Sequence, residues 1–336
     1  MKNTVIKKII TYNFSLLIIL IISIIISLKL GSADISWADI LKMDSDVYKT
    51  IILQIRLPRI LLAGLVGASL AVAGVAFQGV LRNDLADPYI IGTSSGAALG
   101  AAVTIMLGIG GLLNNIPLIP VIAFTSSLLT MIIIYQIARV GNKLPTETFL
   151  LAGVVMGAFL WALVSFLFIM AKESLPKIIF WMMGTFNYQG WNHILLLIPY
   201  FLIAFIFLYI LSFRLNIFSL GEEHAAHLGI SVEKSKFLVI LFATLITSAA
   251  VAVSGMIGFV GLMVPHIMRN ITGSDHRLLY PVSALSGAVF LIWADNLSRL
   301  LISPAEIPVG VITALCGAPF FFYLLKIRKS KIITFK

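Results

Sequence analysis

Between Ile60 and Leu81 the chain carries no charged side chain. At ~1.5 Å rise per residue this is enough helix to cross a hydrocarbon core ~30 Å thick. Lipid offers no partners to the backbone, so only helices and closed barrels can span it. The run is far longer than the roughly ten-residue alternating strands of an outer-membrane barrel, which leaves a helical membrane protein. Composition agrees: of 336 residues, 60% are hydrophobic and 11% charged, with a mean hydropathy of +1.06.

The pattern predicts an all-α, polytopic domain of about ten spans filling residues 1–336. The first covers Ile9 to Leu28, behind Lys2, Lys7 and Lys8. Its length exceeds a secretory h-region and no A-x-A site follows, so it reads as a retained span. Lys29 to Ile55 read as a polar outer segment, with the second span opening at Ile60. Asp87 and Pro88 read as N-cap and first position of the third helix. GIGGLLNNIP, residues 108–117, separates it from a fourth at Leu118 to Ala138. A fifth is expected at Thr148 to Met170, a short surface helix within 172–191, and a sixth span at Asn192 to Phe213. Phe237 to Ser254 gives the seventh, Gly255 to Asn270 a short eighth, Leu278 to Leu301 the ninth and Ile307 to Leu325 the tenth.

An even number of spans puts both termini on one side. With the N-terminus in the cytoplasm, 16 of the 24 Lys and Arg residues fall inside, including Arg82, Arg139, Lys143, Lys236, Arg269 and Arg277. The net charge of +10 is therefore a topology signal and not a nucleic-acid signal. Arg56 and Arg59 are the sharpest exceptions, a basic pair on the outer rim. Gly92, Gly96 and Gly100 recur every fourth residue, as do Ala63, Gly67 and Ala71, while Gly153 and Gly157 mark the fifth span. Such small faces let helix backbones approach closely. AVAG at 71–74 echoes AVSG at 252–255 five spans later, as in inverted-repeat halves.

Chemistry is sparse. The sequence has no G-x-x-x-x-G-K-[ST], H-E-x-x-H or G-x-S-x-G motif. The single cysteine, Cys316, lies in an apolar run and reads as a buried thiol. Glu223, His224 and His227 share a short face, but solvated histidines are the favoured reading and no metal is expected. Asp295 is the only acid inside an apolar run, four residues before Arg299, which favours a local ion pair. SLGEEHAAHLG, residues 219–229, reads as a short cytoplasmic amphipathic helix bounded by Gly221 and Gly229. Its polar side is acidic, unlike most lipid-surface helices, so a protein partner is expected.

LRNDLADPYIIGTSSGAALGAA, AVSGMIGFVGLMVPHIMRNITGSDHR and AEIPVGVITALCGAPFFFYLL resemble signature stretches of the FecCD family. These are permease subunits of ABC importers for iron-siderophores, haem and vitamin B12. The likeness runs over residues 56–325. It implies a second permease subunit (identical or a paralogue), two cytoplasmic ATP-binding subunits that use ATP and Mg, and an external substrate-binding lipoprotein, with no cofactor in this chain. It further implies a multi-pass place in the cell membrane, against lipid, with both termini cytoplasmic.

Within residues 215–231, Ser219, Leu220, Gly221, Glu222, Glu223, Ala225, Leu228 and Gly229 match the ATPase-coupling region. Arg56, Arg59 and Arg299 match binding-protein docking arginines. Trp181, Met183, Phe186 and Asn187 match a helix beside the pathway lined by the fifth and tenth spans, and Pro145 and Thr146 an inner gate. The cargo expected first is a ferric siderophore, with haem or cobalamin as alternatives. The rival of another class is an ion-coupled carrier centred on Asp295 and Glu147.

Overall fold

A computed structural model describes residues 2–334 apart from 32–34, 43, 44, 90, 110, 114, 115 and 188, with the backbone alone for 2–9, 41, 42, 112, 113, 116, 325 and 327–334. Most of the basic terminal residues assigned to the inside therefore lie outside the described side chains. The helices are α1 (Lys2–Lys29), α2 (Trp37–Lys42), α3 (Asp46–Thr50), α4 (Leu57–Val80), α5 (Thr93–Met106), α6 (Leu118–Ala138) and α7 (Thr146–Met170). There follow α8 (Leu175–Met182), α9 (Trp191–Phe218), α10 (Glu222–His227), α11 (Val232–Ser254), α12 (Val260–Thr272), α13 (His276–Leu300) and α14 (Val309–Thr334). A two-residue hairpin, β1 (Leu112–Leu113) and β2 (Ile116–Pro117), joins α5 to α6. Among the described residues, seven helices are long and apolar enough to cross a membrane; α5 and the apolar part of α14 are shorter.

The second span begins earlier than its uncharged run suggests. A π-helical turn, Ile51–Arg56, joins α3 to α4, so helix continues from Asp46 to Val80. Charge marked Arg56 and Arg59 as outside the helix, yet both lie within it because internal acceptors receive their guanidinium groups. The third helix starts later than Asp87–Pro88. The Asp87 carboxylate accepts the Tyr89 N–H at 2.8 Å, closing a local turn in place of a helix cap. Gly92 then takes φ +90°, and α5 opens at Thr93. Gly92 thus serves a left-handed backbone position instead of a rung on the helix face.

The centre of the molecule is α4, buried along most of its length and packed against α9, α11, α12 and α13. Its glycines set the approach. A Cβ at Gly67 would overlap the Gly287 carbonyl of α13, and one at Gly74 the Gly261 carbonyl of α12. The α5–α6 pair closes in the same manner. A Cβ at Gly96 would meet Thr130 and one at Gly100 the Ile122 carbonyl at 2.8 Å. Ser126 donates to the Gly96 carbonyl at 2.7 Å and Ser127 to the Thr93 carbonyl at 2.8 Å, hydroxyl bonds that strengthen helix pairing in lipid. Gly153 of α7 faces the Ile91 backbone at 3.0 Å, whereas Gly157 has only Ser95 Oγ at 3.9 Å and makes no close approach. Cys316 is exposed on α14, contrary to the buried reading, since hydropathy alone does not separate a lipid-facing from a core position.

Overpacking a filled interface costs about 1–3 kcal/mol. Gly74→Ala is expected to lower the thermal stability of the detergent-solubilised protein by that order. Gly258→Ala, with no heavy atom within reach of its Cβ, is expected to leave the transition unmoved.

Candidate functional site

At the end that the charge distribution assigns to the outside, α4 begins beside the C-terminus of α1, whose last carbonyls lack helical partners. Arg56 Nη1 donates to the carbonyls of Leu28 at 2.7 Å and Lys29 at 3.0 Å. One turn on, Arg59 grips two carboxylates. Its Nε lies 3.0 and 3.1 Å from the Asp295 oxygens, its Nη2 2.8 Å from Asp295 Oδ1, and its two Nη atoms 3.2 and 3.0 Å from Glu306. Arg59 Nη1 also donates to Asn187 at 2.9 Å. Arg299 pairs with Asp295 across one helical turn at 3.2 Å and donates to the Leu30 carbonyl at 3.2 Å.

The expectation of three rim arginines presented to a partner is corrected here. Arg56, Arg59 and Arg299 are 4%, 8% and 6% exposed, and their donors are engaged inside the protein. Charges taken from water demand such partners. The pair read from sequence, Asp295 with Arg299, is present. Its larger partner, Arg59, lies 236 residues away and left no local signal, and Glu306 was missed for the same reason. Arg59, Asn187 and Glu306 line an outward cavity of about 770 Å³ together with Phe186.

A second cleft, of about 680 Å³, lies between α7 and α14. Trp161 comes from α7 and Val311, Ala314 and Leu315 from α14, with Met182, Met183 and Met256 beside them. The expected pathway residues therefore divide. Met183 lines this cleft, Trp181 packs behind it, and Phe186 and Asn187 belong to the outer cavity. Pro145 and Thr146 stand apart at the inner end, where Pro145 precedes the first residue of α7.

On the inner side, Gly221 takes φ +117° and turns the chain from α9 into α10. Ala225 is buried against the body of the protein, while Leu220 and Leu228 are 65% and 64% exposed. Glu222 and Glu223 occupy the first turn of α10, where the helix dipole favours acids. Ser219 caps the carbonyl of Asn216 at 2.7 Å, and Gly229 leaves the helix with φ +79°. Asn216, on the last turns of α9, donates to Asp275 at 2.7 Å and accepts from the His276 N–H at 2.9 Å. This ties the α9–α10 corner to the start of α13.

The FecCD transport family profile matches residues 19–327. The cobalamin import system permease protein BtuC of Halobacterium salinarum is 42% identical over 283 residues, 84% of this chain and 75% of that one. The Fe(3+)-citrate import system permease protein YfmE of Bacillus subtilis is 37% identical over 320 residues, 94% of this chain and 95% of the relative. A solved structure described as an inward-facing conformation of a metal-chelate type ABC transporter superposes with a TM-score of 0.84. It shares 36% identity and covers 94% of this chain and 98% of its own.

Two outcomes test the site's energetics. Asp295→Asn leaves Arg59 with Glu306 as its carboxylate and removes the carboxylate that pairs with Arg299, and is expected to destabilise the protein by about 3 kcal/mol, read by thermal unfolding in detergent. At the inner corner, hydrogen bonds from Arg277 first, and then from Asn216, hold the Asp275 carboxyl down at about 2 against its partial burial. A depressed carboxyl stabilises the fold above its ordinary value and loses that contribution as pH falls through its folded value. The stability gap between wild type and Asp275→Asn is therefore expected to stay constant from pH 8 to about 5. It should shrink between pH 4 and 2, and a constant gap down to pH 2 would contradict the assignment.

Proposed function

From the membership of this chain in the FecCD transport family, we propose that it is the permease subunit of an ATP-driven importer for a bulky metal chelate, a ferric siderophore in the first instance. The observation that carries the reading is the full-length likeness, which spans every membrane helix from α1 to α14. Relatives carry names for the import of Fe(3+)-citrate and of cobalamin, and the cargo proposed here is of that metal-chelate kind. Such a cargo needs a wide, weakly binding route, and the methionine-lined cleft between α7 and α14 has that character. Haem or cobalamin would pass by the same route.

The energy enters, on this reading, at residues 219–229. Leu220 and Leu228 flank α10 and are mostly exposed, beside an acidic first turn, and a pair of ATP-binding subunits is the partner we assign to that surface. A second permease subunit would complete the pathway. An external binding protein would deliver cargo to the outer cavity, with docking chemistry other than the three buried arginines. The charge distribution supports a cytoplasmic location for both termini.

The ion-coupled alternative needs an acid free to exchange a proton or cation. Asp295 is held between two guanidinium groups, and Glu147 lies exposed in the first turn of α7; neither is placed as a coupling site within a pathway. Proteoliposomes holding the permease, its ATPase and its binding protein separate the two readings. Uptake of radio-iron siderophore is expected to require ATP inside the ATPase-accessible compartment and to survive ionophores. Uptake driven by an ion gradient without ATP would overturn the reading.

A further inference from the structure

Lys236 is buried, at 4% exposure, on the second turn of α11. Its Nζ lies 2.8 Å from Glu222 Oε2 of α10 and 3.2 Å from the carbonyl of Leu144, in the connection between α6 and α7. A third acceptor, Glu233 Oε1, stands 3.7 Å away one turn earlier on α11. Glu233 in turn accepts the Leu144 N–H at 2.9 Å. Both polar backbone groups of Leu144, the one buried residue between Arg139 and Pro145, are thus held by the first turns of α11.

Two surface elements meet on this one ammonium. The six-residue α10 is too short to be stable alone, and Ala225 is its only fully buried side chain. The 139–145 connection is likewise exposed, apart from Leu144 and Ala138 before it. Leu144 leads through Pro145 directly into α7, a wall of the apolar cleft. A charge-assisted bond from a desolvated lysine to each element is stiff and directional. Breaking one leaves the buried charge under-partnered, so the elements are penalised for moving separately.

We propose that Lys236 is a positioning residue that makes α10 and the α6–α7 connection move as one body, so that displacement of α10 by a partner is delivered to the base of α7. This deepens the permease reading above and rests on it. Glu222 supplies the α10 end of the strut, Leu144 the α7 end, and Glu233 keeps the ammonium charged and the loop in register.

The test uses the complete transporter, permease with its ATPase and binding protein, and reads cargo transported per ATP hydrolysed. Lys236→Met and Glu222→Gln are each expected to lower that ratio about tenfold, the order of one charged hydrogen bond. The double variant is expected to be no worse than either single one, because both break the same strut. A purely structural role would move yield and stability but not the movement of the loop. In a Cys316→Ser background, the maleimide labelling rate at Lys143→Cys is therefore compared before and after vanadate trapping. Wild type is expected to show a clear change, and Glu222→Gln to lose it. Glu222 is partly exposed, so this arm stands even where Lys236→Met does not fold. A wild-type ratio together with an intact labelling change in Glu222→Gln overturns the strut. Absence of ATP-driven transport in the wild-type complex would instead defeat the permease reading itself.

Discussion

Lipid is as apolar as leucine, so nothing expels α4 from the bilayer into a protein core; its neighbours must hold it by contact. The contact is backbone against backbone. Gly67 lies on the Gly287 carbonyl and Gly74 on the Gly261 carbonyl, and a single methyl at either would collide. With α4 fixed between α12 and α13, the outer charges and the inner corner are fixed too. Arg59 projects from its first turns to Asp295 of α13, and Gly79 near its end lies against the His276 ring. The architecture follows from those close approaches.

Charge is used at the two ends and avoided between them. At the outer end, buried Arg59, Arg299 and Asp295, with Glu306 at the exposed edge, form a charge-balanced set that ties α4, α13 and the segments around Asn187 and Glu306 into one block. At the inner end, Lys236 with Glu222 and Glu233 ties α10 and the α6–α7 connection to α11. The cleft between α7 and α14 carries mainly methionine, aromatic and small residues. Thioethers adapt to irregular surfaces, so such a lining offers apolar contact without a fixed polar trap.

Helices were legible because their signal is local. The expected spans at Leu118–Ala138 and Thr148–Met170 match the observed α6 and α7 within two residues, and Gly96 and Gly100 of the expected small face make a close contact, with α6 as the partner. What sequence hid was long-range or conformational. Arg59 reads as exposed until Asp295 and Glu306, more than 230 residues away, are brought to it. Asp87 has the type and place of a helix cap, yet Gly92 must turn through positive φ before α5 can begin. Lys236 resembles any inside lysine by the charge rule, and only the fold sets it between Glu222 and Leu144. The α10 segment was found because its pattern of small, acidic and apolar residues is itself local, although burial falls on Ala225 and leaves both leucines outward.

That outward pair is where the account is most exposed to test. A photo-crosslinking residue placed at Leu228 in cells expressing the whole transport system reports directly what covers α10. The account predicts a discrete adduct with an ATP-binding subunit, absent when the same probe is placed at exposed Ile169 near the far end of α7. Adducts with lipid alone at Leu228, or equal adducts from both positions, would contradict it.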